Sequence, residues 1–113
     1  MALYSNVIDL IGNTPMVDIS PLSPNPAVRI YAKLEGQNPG GSVKDRAAKY
    51  MVEAAEREGR LQPGSIVLES SSGNTGIALA MICKQRGYTF KAVLPENVSV
   101  ERRQALEVWG TEI

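Results

Sequence analysis

The sequence predicts an α/β fold in which short strands alternate with helices and pair into a largely parallel sheet through right-handed crossovers. Three observations point there. Strand-like and helix-like stretches alternate along the chain, with no repeat or low-complexity tract between them. The length of 113 residues suits one domain. Hydrophobic residues make up 43% and charged residues 21%, which is the usage of a packed chain and not of a disordered one.

Met16–Ile19 and Val28–Leu34 read as strands, the second from its apolar/polar alternation. Between them, Pro21 to Pro26 holds three prolines and must be a loop. Asn38-Pro-Gly-Gly-Ser42 breaks the chain again. Ser42, three residues before Asp45, resembles a capping box and opens a helix that runs to about Glu58, with Gly59 past its end. Helical spacing places Val43, Ala47, Met51, Ala54 and Ala55 on its apolar face. Glu53–Arg57 and Glu56–Arg60 are spaced as i,i+4 ion pairs on the wet side. Ser65–Leu68 reads as a short buried strand, and Ser70–Gly73 as a small-residue loop. A second helix follows from about Asn74 to Gln85. Ile77–Cys83 within it is apolar all round, which predicts burial on most sides. Gly87 ends that helix, Thr89–Leu94 is a strand, and Ser99 caps a third helix ending near Trp109-Gly110. Thr111–Ile113 reads as the start of another strand, so the chain is expected to be part of a longer protein.

Composition excludes several chemistries. There is no histidine, so a Ser-His-Asp triad, a Cys-His pair or a His-ligated zinc has no residue to work with. Twelve basic residues balance twelve acidic ones, which leaves no electrostatic footprint for nucleic acid. The longest apolar run, Ile77–Cys83, falls far short of the ~20 residues a bilayer crossing needs. The N-terminus lacks a basic region followed by an apolar stretch, and the single cysteine has no internal partner. Both make the cytoplasm the default location.

Two segments could carry chemistry. Asn38–Arg46 puts Lys44 in the first turn of a helix behind a glycine-rich loop. The positive end of the helix dipole disfavours a cation there, which would lower the lysine pKa and suit a nucleophilic amine. A solvated lysine balanced by Asp45 fits the local sequence as well. The glycine spacing Gly36-x-x-x-x-Gly41 is that of a P-loop, but Ser42-Val43 stands where Lys-Ser/Thr is required. Ser70–Gly76 is the second segment. It follows a strand and opens a helix, a place where backbone N–H groups and hydroxyls converge on a carboxylate or phosphate. An ordinary strand-to-helix turn is the alternative.

Taken together, the two segments resemble fold-type II pyridoxal-phosphate enzymes, and within them the cysteine synthase (O-acetylserine sulfhydrylase) family, B-type form. The resemblance rests on Ile11-Gly-Asn-Thr-Pro15, Lys33-Leu-Glu35, Ser42-Val-Lys-Asp-Arg46, Ser72-Gly-Asn-Thr-Gly76, Pro95-Glu-Asn97 and Glu101-Arg-Arg103, in that order across nearly the whole chain. It implies a three-layer, tryptophan synthase β-like fold, of which this is the N-terminal part. Residues 1–38 would pack with the larger cofactor domain, and residues 39–113 would form the substrate-loop domain.

By the same resemblance, Lys44 forms the Schiff base with pyridoxal 5′-phosphate and takes the substrate's α-proton. Asn74 hydrogen-bonds the cofactor's 3′-hydroxyl, and Ser71, Ser72 and Thr75 grip the substrate's α-carboxylate. Position 71 departs from the family, which usually has threonine there; serine keeps the hydroxyl and loses a methyl. The implied reaction is β-replacement on O-acetylserine or a related activated serine by sulfide, giving L-cysteine in a homodimer. Cystathionine β-synthase and diaminopropionate synthase are rivals on the same motifs, and a non-catalytic binding module is the rival from another class. The phosphate loop and the pyridine-nitrogen contact are expected beyond Ile113, so the 113 residues alone are expected to be inactive. Cys83 reads as a small buried hydrophobe, Trp109 as core or interface, and Arg102 and Arg103 as a solvated face.

Overall fold

The computed structural model describes residues 1–71 and 73–113. Two strands, β1 (Met16–Asp18) and β2 (Tyr31–Lys33), come first. Helix α1 (Lys44–Arg57), strand β3 (Ile66–Glu69), helix α2 (Asn74–Arg86), strand β4 (Thr89–Ala92) and helix α3 (Val100–Glu107) follow. Short 3₁₀ turns occupy Val7–Leu10, Ser20–Leu22 and Glu35–Gln37.

The strands form two separate sheets. β1 and β2 pair antiparallel, with Val17 opposite Ala32, as a small ribbon apart from the rest. β3 and β4 pair parallel, Val67 opposite Phe90, joined by α2. Glu112 adds a parallel bridge to Lys91, and its N–H donates to the Phe90 carbonyl at 3.0 Å, so the strand expected from Thr111 is begun. The largely parallel reading therefore holds for the α/β portion and not for the first two strands, whose connection carries only a 3₁₀ turn at Ser20–Leu22 and no crossover helix.

Helix α2 is the centre of the molecule. Ala78, Leu79, Ala80, Met81, Ile82 and Cys83 are all buried in succession, against α1, β4, α3 and the turn at Val7–Leu10. That is the all-round burial its sequence predicts. Burial of a side chain the size of Met81 is worth about 1.5–3 kcal/mol, and burial also pushes the Cys83 thiol up to about 11. Gly87, at φ 77°, ends the helix in the left-handed conformation, its N–H returning to the Cys83 carbonyl. Phe90 and Ala92 alternate inward from β4, and fully buried Leu106 closes the core from α3. Trp109 packs against this core, while Arg102 and Arg103 are exposed.

Three expectations are corrected. The buried stripe of α1 is Asp45, Ala48, Val52 and Ala55, whereas Val43, Ala47 and Met51 are exposed. Alanines at both 47 and 48 make the two stripes equally plausible by periodicity, and an aspartate heads the one that is buried. β3 is not a buried strand, because Ile66 and Leu68 are exposed at its uncovered face. Finally, Glu53 and Glu56 do not pair along α1. They face Arg86 of α2 at 3.8 and 3.9 Å, and Tyr88 donates its hydroxyl to Glu56 at 2.9 Å. Arg60 pairs instead with Glu58 at 2.7 Å.

Candidate active site

Those contacts between Glu53, Glu56, Arg86 and Tyr88 hold the C-terminal ends of α1 and α2 together. The two helices also pack against each other. Both starts lack a side-chain cap from the N-cap residue, Val43 in α1 and Gly73 in α2. The first N–H groups of a helix have no partner within it, and those left open present donors and a partial positive charge to an anion; in α1 the first two are taken by Ser42.

Lys44 is the first residue of α1 and is exposed. Among the described residues, its Nζ makes no hydrogen bond or ion pair. Its backbone is held instead: the Ser42 hydroxyl accepts from Lys44 N at 3.1 Å, and the Ser42 carbonyl accepts from Asp45 N at 3.3 Å. The expected capping box is thus displaced, because Asp45 reaches back past Ser42 to accept from Gly40 N at 2.5 Å. Asp45 is fully buried, its Oδ1 has no partner among the described residues, and burial pushes its carboxyl above the ordinary value of 3.8. A Cβ on Gly40 would collide with that carboxylate, so only glycine lets the loop lie this close to α1.

Asn74 and Thr75 are the first two residues of α2; Asn74 is exposed and Thr75 half-buried. Ser71 is half-buried, and its hydroxyl accepts from Gly73 N at 3.2 Å, which folds the loop over the helix start. Gly76 sits one turn in, where a Cβ would run into the Ser71 carbonyl. Ser72 lies outside the described residues. Lys44 thus stands at the start of α1, and Ser71, Asn74 and Thr75 stand at the start of α2, the helix packed against it.

The chemistry of that donor set suits an aldehyde and a carboxylate. An exposed primary amine can condense with an aldehyde, while an amide, hydroxyls and helix-start N–H groups can bind a ring hydroxyl and a carboxylate. A cavity of about 290 Å³ lies elsewhere: an open apolar groove lined by Met51, Ala55, Leu61, Ile66 and Leu68 between α1 and β3. It contains none of these groups and offers no such chemistry.

Sequence reasoning gave no role to Thr14, Glu35, Asn38 or Arg46, yet they surround the start of α1. Glu35 Oε1 accepts from Arg46 at 2.7 Å and from the Thr14 hydroxyl at 3.3 Å, and its Oε2 accepts from Asn38 Nδ2 at 3.0 Å. Asn38 Oδ1 accepts from Gly12 N at 2.8 Å. The Arg46 hydrogen bond is the main cause holding the Glu35 carboxyl below its ordinary value of 4.5. Glu35 and Arg46 are eleven residues apart, and no local spacing rule links them.

Comparison with known proteins places this geometry in context. Residues 7–113 match a family described as pyridoxal-phosphate dependent enzymes. Cysteine synthase B of Salmonella typhimurium is 52% identical over 103 residues, covering 91% of this chain and 34% of that protein. The crystal structure of a hydrogen sulfide-producing enzyme from Fusobacterium nucleatum superimposes with a TM-score of 0.92 at 49% identity, over 99% of this chain and 37% of its own. An O-acetylserine dependent cystathionine β-synthase from Helicobacter pylori gives 0.90 at 36% identity, over 99% and 37%. The chain spans about a third of the length of these relatives.

Proposed function

Because the chain belongs to the family of pyridoxal-phosphate-dependent enzymes, we propose that it supplies the lysine and the substrate-carboxylate loop of an enzyme that makes L-cysteine. The reaction is replacement of the β-acyloxy group of O-acetyl-L-serine by sulfide, which releases acetate. The observation that carries this reading is the packing of two helices, one starting at an exposed lysine and the other behind a Ser/Asn/Thr loop.

Pyridoxal phosphate, when bound, supplies the electron sink for negative charge at the substrate's Cα. Lys44 Nζ is the amine that holds the cofactor and the base that takes the Cα proton. Asn74 would hold the cofactor's 3′-hydroxyl. Ser71, Ser72, Thr75 and the N-terminal amides of α2 would bind the α-carboxylate and so orient the Cα–H bond toward Lys44. A carboxylate is stabilised there without a charged side chain, since helix-start N–H groups and hydroxyls donate to it directly. A thiol in place of sulfide is the second reading, favoured by the likeness to the Helicobacter pylori cystathionine β-synthase.

We further place residues 1–38 as a segment packing with a larger cofactor domain and residues 39–113 as the substrate-loop domain, in a cytoplasmic homodimer. The decisive experiment is Lys44→Ala in the full-length protein that carries these residues. The yellow, borohydride-reducible lysine adduct and cysteine formation should both vanish. An adduct retained on another lysine would overturn the assignment. The 113-residue polypeptide made alone should be colourless after dialysis with pyridoxal phosphate and should make no cysteine; colour with turnover would show that it holds a complete site.

A further inference from the structure

We propose that Glu35 is a positioning residue for Lys44: it acts through Arg46 to fix the direction in which the first turn of α1 presents the lysine amine. The inference rests on Lys44 as the cofactor-holding amine and adds what aims it.

Lys44 itself is exposed, and no described side chain holds its Nζ, so the protein constrains it through its backbone, which sets where the flexible stem leaves the helix. Three consecutive residues of that turn tie back to the preceding chain. Lys44 N–H donates to the Ser42 hydroxyl, Asp45 accepts from Gly40 N, and Arg46 donates to Glu35. Glu35 is the hub that joins this turn to more distant chain. It also accepts from Thr14 and Asn38, and Asn38 in turn accepts from Gly12 N, while the Arg46 stem lies against Gly12. The turn at Gly12–Thr14 and the start of α1 are thereby referred to one carboxylate.

The buried polar residues of the described chain are Thr14, Asn38, Ser42 and Asp45, and all four belong to this cluster. Burying polar groups costs free energy unless they are hydrogen-bonded, and their net return is small when they are. A cluster of this kind does little for stability that apolar packing would not do better, but it specifies one geometry. The cluster surrounds the one turn whose orientation the chemistry needs. Elsewhere, as along α2, the core is apolar.

The test uses full-length protein stripped of cofactor, to which pyridoxal phosphate is added. The rate of appearance of the yellow adduct is followed, and borohydride trapping locates it. Glu35→Gln keeps the shape and removes the charge; Arg46→Gln removes the other partner. Each should slow adduct formation at Lys44 on the order of ten- to a hundredfold, the cost of a misplaced reacting group. The double variant should be no slower than the slower single, because both break one linkage. Thr14→Val, which leaves the ion pair in place, should slow the reaction by a smaller factor at an unchanged melting temperature, and it decides the matter if Glu35→Gln does not fold. Unchanged rates, or single effects that multiply in the double variant, overturn the proposal. If the unsubstituted protein traps no adduct at Lys44, the functional reading fails and this inference falls with it. A normal Lys44 adduct that is indifferent to Glu35 and Thr14 sinks this inference alone.

Discussion

Alanine in place of glycine inside a helix ordinarily stabilises it by about 1 kcal/mol. At Gly76, the third residue of α2, the structure reverses the sign. The new methyl would run into the carbonyl of Ser71, a backbone atom that cannot swing aside, and Leu106 Cδ2 stands 3.7 Å away. Leu106 is fully buried, so α2 has no free space to retreat into on that side. Overpacking of this kind costs about 1–3 kcal/mol, which after the propensity gain leaves a net loss of up to ~2 kcal/mol. The melting temperature should fall by roughly 2–8 °C per kcal/mol, depending on the size of the domain that melts. The same methyl pushes the Ser71 loop off the helix start, so affinity for the amino-acid substrate should fall about tenfold, the equivalent of 1.4 kcal/mol. The control is Gly36→Ala, where nothing lies within 4 Å, and the change should stay within about 0.5 kcal/mol. Thermal melts and substrate titrations of the two variants and the parent decide it. A Gly76→Ala protein as stable as the parent, with an unchanged titration, would refute the reasoning.

Two further outcomes are expected. Asn74→Ala should weaken cofactor binding and Ser72→Ala substrate binding, each by roughly ten- to a hundredfold for a lost hydrogen bond to a charged or polarised group; a Ser72→Ala protein with parental substrate affinity would remove that loop from the carboxylate site. Burial raises the Asp45 pKa above 3.8, so between the two values the folded state binds the proton more tightly and the buried charge is a cost above that window. The parent should therefore gain stability relative to Asp45→Asn as pH falls from neutral toward 4, measured by denaturant titration, and a gain in the opposite direction would contradict the burial argument.

Much of this was legible in the residues because it is local. An apolar run at 77–83 demands burial on every side, and α2 has it. Ser99 caps α3 by accepting from Arg102 N, and Gly87 ends α2. The glycine-rich break at 38–42 and the small-residue loop at 70–73 put Lys44 and Asn74 at helix starts, as they are. What the residues hid was non-local. Periodicity could not choose between Ala47 and Ala48, because the choice was made by Gly40 closing over Asp45. Glu53 and Glu56 have good i,i+4 partners on paper, yet exposed pairs of that kind are worth only a few tenths of a kcal/mol. Arg86 and Tyr88 from the next elements took them instead. The Glu35 hub joins residues from three separate stretches of chain, and no pattern within one of them announces it.

The helix pair has a division of labour with practical reach. With 14 and 13 residues, α1 and α2 are each about 20 Å long. The anchoring contacts of Glu53, Glu56 and Arg86 therefore lie about 14–18 Å along the helix axes from Lys44 and Asn74. Changes at sites so far apart add independently. An engineer can graft tighter ion pairs, or a reporter dye, onto the Arg86 end and tune durability or readout while leaving the reactive end chemically untouched.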